Sequence, residues 1–144
     1  MAEGEPKLRA GPRVGDRLPD TRITRGGQPT WLQRELAGPR LHLLLCGDPD
    51  AWDGPRVADL STRYAGLVAI HRLSRGEGGE DDLVDAEGEA FERLGVADAA
   101  QYLVRPDGYV GFRCAGSDLD GVERYLANWF PKGVVMEPAG TLTA

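Results

Sequence analysis

The chain has 144 residues, of which 41% are apolar and 28% charged, with a net charge of −6 and a pI near 4.9. That size fits one domain around one core. An acidic surface with dispersed arginines and no basic stripe argues against nucleic acid and anionic membrane as partners, and the longest apolar run, Leu43 to Cys46, is far too short to span a bilayer. Residues 1–15 and 131–144 are polar and interrupted by proline or glycine, and read as a linker or tail at each end of a domain covering residues 16–130. The first stretch has no apolar core of the kind a signal peptide carries, so the expected location is cytoplasmic.

Within the domain, Thr21 to Thr24 is a short strand candidate, and Gly26-Gly27 turn the chain. Thr30 is placed to N-cap a short helix from Trp31 to Ala37, closed by Gly38-Pro39. Leu41 to Cys46 is a continuous apolar run with one histidine, the pattern of a central strand covered on both faces. Pro55 suits the first turn of a helix whose apolar face is Val57, Leu60 and Tyr64, with Asp59 and Arg63 paired one turn apart. Leu67 to Leu73 is a second buried strand.

Arg75 to Glu89 reads as a surface loop. Its acidic group, Glu77, Glu80, Asp81 and Asp82, lacks the ligand spacing of a calcium-binding loop, and a solvated loop is the better reading. Ala90 to Leu94 forms a short helix stopped by Gly95. The stretch Tyr102 to Arg113, "YLVRPDGYVGFR", is a β-hairpin, with Pro106, Asp107 and Gly108 supplying a type I turn and a bulge at the glycine. Ser117 and Asp120 resemble a capping box for a last helix lined by Leu119, Val122, Leu126 and Trp129. The expected core is Leu43, Leu45, Val57, Leu60, Val68, Ile70, Leu103, Val110, Leu126 and Trp129.

Helical crossovers between buried strands imply a parallel centre, and the hairpin adds an antiparallel edge. This α/β order resembles the thioredoxin fold, a mixed sheet of about five strands flanked by helices that ends in a β-hairpin and a helix. Thioredoxin chemistry needs a low-pKa thiol where the central strand meets its helix, and a second cysteine to resolve the mixed disulfide. Gly47 to Asp53 holds three aspartates, Asp48, Asp50 and Asp53, and no cysteine. The proline that the fold carries before its hairpin is also missing from Val96 to Gln101. Cys46 and Cys114 therefore read as packing residues. His42 and His71 lie on strands that would be neighbours, where they could meet but offer too few ligands for a metal. No nucleophile elbow, P-loop or dinucleotide fingerprint is present. From the residues, the expected catalytic, cofactor-binding and metal-binding sites are none.

Three segments together, "GPRVGDRLPD" (Gly11 to Asp20), "HRLSR" (His71 to Arg75) and the hairpin, resemble the thioredoxin-like C-terminal domain of FAD-dependent aromatic hydroxylases, the phenol hydroxylase-like and polyketide (aklavinone-type) flavin monooxygenases. In that family the flavin and substrate sites belong to preceding domains. The resemblance therefore implies a non-catalytic structural or interaction domain that binds no FAD itself. Its implied partners are the FAD and substrate domains, in cis or in trans, with homodimerisation an open alternative. Two other readings compete: a stand-alone redox protein using Cys46, and a small-molecule binder with a pocket near Trp52, Tyr64 and His71.

Overall fold

The structure, a computed structural model, describes residues 11–76 and 82–129. A single seven-stranded sheet has the order β2-β1-β5-β4-β3-β6-β7. Its centre is β3 (Leu41–Cys46), paired parallel with β4 (Val68–Ser74) and antiparallel with β6 (Ala100–Val104). Strand β6 continues through the expected hairpin into β7 (Val110–Ala115). The crossover between β3 and β4 is α2 (Gly54–Arg63), and α4 (Asp120–Trp129) ends the described chain. This is the thioredoxin-like arrangement that the order of apolar runs implied.

The sheet is wider than the expected five strands, because the N-terminal part folds as a hairpin. Gly26 and Gly27 have φ of +59° and +82°. Two successive positive φ values build the tight turn whose twist matches a hairpin. Strand β1 (Arg22–Arg25) therefore returns directly as β2 (Gln28–Trp31), with Ile23 opposite Thr30. Thr30 is thus a strand residue rather than a helix cap, and its hydroxyl donates to Glu35 at 2.8 Å. The helix that follows is only α1 (Leu32–Glu35). The segment expected to be loop from Arg75 to Glu89 contains β5 (Leu83–Val84), which joins β4 to β1. Asp85 directly after it is buried, and its carboxylate accepts from the Phe91 N–H at 2.8 Å in the first turn of α3 (Glu89–Leu94). Of the acidic group in this segment, Glu77, Glu80 and Asp81 lie outside the described residues.

Strand alternation divides the core between the two faces of the sheet. Leu43, Leu45, Leu103 and Phe112 pack under α2 and α4, against Val57, Leu60, Val122 and Leu126. Leu44, Cys46, Tyr102 and Val110 face the other way, against Leu32, Leu36, Phe91 and Leu94. Eight of the ten expected core residues are buried. Ile70 is half-buried, and Trp129 is 63% exposed because the last turn of α4 carries it past the underlying sheet. The α4 start also differs from expectation: Asp118, not Ser117, accepts from the Asp120 N–H, at 2.9 Å. Arg56 ties the two covering helices together through Asp120 and Glu123.

The N-terminal stretch before β1 is packed against the hairpin. Gly15 donates to Val110, Val110 donates to Asp16, and Leu18 donates to Gly108, each at 2.8–2.9 Å. Pro12 is buried, its carbonyl accepts from Arg113, and Arg17 lies 5.9 Å from the Tyr109 ring. Two of the three segments that carried the family resemblance thus meet in space.

On the opposite face, Tyr102 donates to the Leu94 carbonyl at 2.6 Å and is completely buried. Tyr102→Phe leaves that carbonyl without its donor. The expected loss is about 1–3 kcal/mol, read from urea unfolding.

Candidate functional site

Strand β3 ends where a thioredoxin would start its chemistry. Gly47 follows with φ of +152°, and a Cβ there would come within 3.1 Å of the Ala99 side chain. The chain then makes one 3-10 turn, Pro49–Ala51, and Asp53 caps α2 by accepting from the Arg56 N–H. The aspartates thus occupy the helix approach that a reactive thiol would need. Cys46 points away from it, into the core beneath the sheet. Complete burial pushes its thiol well above the ordinary range, and the nearby Asp85 charge pushes in the same direction. A thiol held protonated is a poor nucleophile. Cys114 is also buried, but in the core on the other face of the sheet. The two sulfurs face opposite layers, so neither can resolve a disulfide formed on the other.

The two histidines do meet. His42 Nδ1 and His71 Nε2 are 3.1 Å apart across the β3–β4 ladder. His42 Nε2 faces the Gly38 carbonyl at 3.4 Å. A carbonyl only accepts, which places the His42 proton on Nε2 and leaves Nδ1 to accept from His71 Nε2–H. Burial lowers both pKa values, and that of His71 is pushed down to about 4, with the neighbouring His42 adding to the effect. The pair is held as two neutral rings. Among the described residues, no group of three or more His, Cys, Asp or Glu side chains could hold a metal ion.

The pocket expected near Trp52, Tyr64 and His71 is not one site. Trp52 and Tyr64 belong to the core beneath α2, whereas His71 lines a cleft of about 580 Å³ at the edge of β4. An exposed apolar surface lies on α4 and β7. There Phe112, Tyr125 and Trp129 form a ladder with ring centroids 5.3 and 6.1 Å apart. Val14, 60% exposed, lines a groove beside this ladder. The sequence pattern assigned Trp129 to the core and so missed this surface. Among the described residues, no helix is long and apolar enough to cross a membrane.

A thioredoxin-like fold whose central strand delivers a buried thiol, and whose helix start carries aspartates, belongs to a class that keeps the scaffold without the dithiol. Solved structures agree on the scaffold. A thiol peroxidase from Chromobacterium violaceum is 15% identical with a TM-score of 0.63, over 87% of this chain and 92% of that one. Residues 11–132 match the family described as aromatic-ring hydroxylase, C-terminal, and the chain belongs to that family. Aklavinone-11 hydroxylase, solved with FAD and aklavinone, is 28% identical over 76% of this chain, with a TM-score of 0.56. The flavin-dependent monooxygenase PieE, solved with FAD and substrate, shares the fold at 24% identity over 81% of this chain, with a TM-score of 0.58. The matched region is 19% and 20% of those two chains. No curated protein sequence matches significantly.

Proposed function

We propose that this chain is a non-catalytic docking domain for the FAD- and substrate-binding part of an aromatic monooxygenase, in cis or in trans, in the cytoplasm. The match of residues 11–132 to the hydroxylase C-terminal family carries the reading. It is supported by the burial of both thiols on opposite faces of the sheet. Aklavinone in the complex of one structural relative points to polyketide-type aromatic substrates for the parent enzyme. The exposed Trp129 beside Tyr125 is the natural contact, since large exposed apolar residues grouped on one face mark interaction surfaces. That contact is made with the catalytic part or with a second copy of this domain.

The test is sedimentation with absorbance recorded at the flavin band. The chain alone is expected to be colourless after dialysis, and to move with the flavin signal once the FAD-binding part of a hydroxylase from the same source is added. Flavin retained by the chain alone, or sedimentation unchanged by the flavoprotein, would contradict the proposal.

A further inference from the structure

Strand β2 is one outer edge of the sheet, and the bonds that are made assign its free backbone groups. The Leu32 N–H donates to the Thr21 carbonyl at 2.9 Å, on the β1 side. Alternation along the ladder then turns the backbone groups of Thr30 and Gln28 toward β1, and those of Pro29 and Trp31 away from it. Pro29 has no N–H to offer. Trp31 is the N-cap of α1, so its carbonyl accepts the first helical bond. The outward side of β2 therefore presents one donor, the Trp31 N–H, and one acceptor, the Pro29 carbonyl.

The side chains follow the same alternation. Thr30 is buried, whereas Gln28, Pro29 and Trp31 are exposed, Trp31 at 46%. Pro29 and Trp31 share one face of the strand. The Arg22 guanidinium, from the opposite residue of β1, lies 5.7 Å from the centre of the Trp31 ring and steadies it from that side.

An ordinary strand laid antiparallel on this edge is a poor match. Its residue opposite Pro29 would keep a carbonyl with no donor, and its residue opposite Trp31 would keep an N–H with no acceptor. Strand β2 itself avoids both losses. A two-fold axis at Thr30 sets Trp31 opposite the second copy's Pro29, and Pro29 opposite the second copy's Trp31. The carbonyl left over then belongs to Trp31, and its own helix already uses it. The N–H left over would belong to proline, which has none. Two hydrogen bonds form, each from a Trp31 N–H to a Pro29 carbonyl, and each indole covers the proline ring directly opposite.

We propose that β2 is a self-association edge whose partner is a second copy of this chain, antiparallel and in two-fold register about Thr30. Pro29 and the α1 cap turn other strands away and leave this one pairing complete. The contact is small, so the dimer is weak, with a Kd of roughly 100 µM. It does not depend on what Trp129 meets.

Sedimentation velocity of the 144-residue chain from about 10 µM to about 1 mM is expected to show monomer giving way to dimer. Trp31→Ala keeps the backbone donor but removes the ring, and should weaken dimerisation about tenfold or more, as loss of a tryptophan anchor does. Oxidative cross-linking reads the register. Thr30→Cys sets two thiols facing each other on the axis, at the Cα spacing of about 4.5 Å that lies within disulfide reach. Gln28→Cys faces Leu32 of the second copy and not itself. Cys46 and Cys114 are buried and do not compete. A covalent dimer is therefore expected from Thr30→Cys and not from Gln28→Cys, with near-ultraviolet circular dichroism unchanged in both. A chain that stays monomeric throughout the range overturns the proposal, as does cross-linking of Gln28→Cys that equals or exceeds that of Thr30→Cys. A dimer that survives Trp31→Ala and is lost in Trp129→Ala also overturns it, and moves the self-contact to α4.

Discussion

Leu43→Ala is expected to remove about 2–5 kcal/mol of stability, a large share of the roughly 5–15 kcal/mol that holds a domain of this size together. Leu43 has no exposed surface and sits mid-strand in β3, with Ile70 and Leu103 beside it in the ladder and α2 and α4 above. Deleting its side chain removes buried apolar area and leaves a cavity that two flanking strands prevent from closing. Trp129→Ala, by contrast, should change stability by no more than about 0.5 kcal/mol, because that ring is 63% exposed. The two residues look alike in the periodic pattern, so urea unfolding of both variants separates the pattern from the packing. Equal losses would mean that Trp129 is buried in solution or that Leu43 is not central.

Acid should destabilise the protein well above the range where carboxylates titrate. In the folded chain His71 stays neutral down to about pH 4, whereas its ordinary pKa is 6.5. Between those values the unfolded chain binds more protons, so stability is present above pH 6.5 and is lost as pH falls toward 4. His42 is shifted in the same direction. Arg25 and Arg40 oppose a second positive charge on His71, and Glu35 favours it, but burial and the facing ring outweigh the carboxylate. Discounted for the solvent that reaches His71, the loss is about 2 kcal/mol between pH 7 and pH 4.5. His71→Leu should flatten most of that slope. A variant that keeps the full slope would place the acid response elsewhere.

The centre of the fold was legible because it is built from long apolar runs. Leu41 to Cys46 and Leu67 to Leu73 were readable as strands from their composition, although the second is only half-buried from Ala69 to Arg72, and the prolines and glycines around them marked the crossover and the hairpin. Meeting of His42 and His71 followed from that adjacency. The added strands were not legible for physical reasons. Strand β2 includes Pro29 and the exposed Trp31, and its place is set by the two positive φ values at Gly26 and Gly27. Strand β5 is two residues long, too short for any period to show, and is ordered by Ser74 and Thr24 on either side. The burial of Asp85 depends on its bond to Phe91, six residues away, a spacing with no sequence signal. The absent thiol at the helix start, however, was visible directly in Gly47 to Asp53.

We propose that this thioredoxin-like domain serves contact and not thiol chemistry. Insulin reduction by dithiothreitol tests it most directly, with the wild-type chain run beside Cys46→Ser and Cys114→Ser. The buried, protonated Cys46 and the separation of the two sulfurs by the sheet predict turbidity at the dithiothreitol background for all three proteins. Turnover above background in the wild type that disappears in Cys46→Ser would contradict the claim, and would make this chain a redox protein.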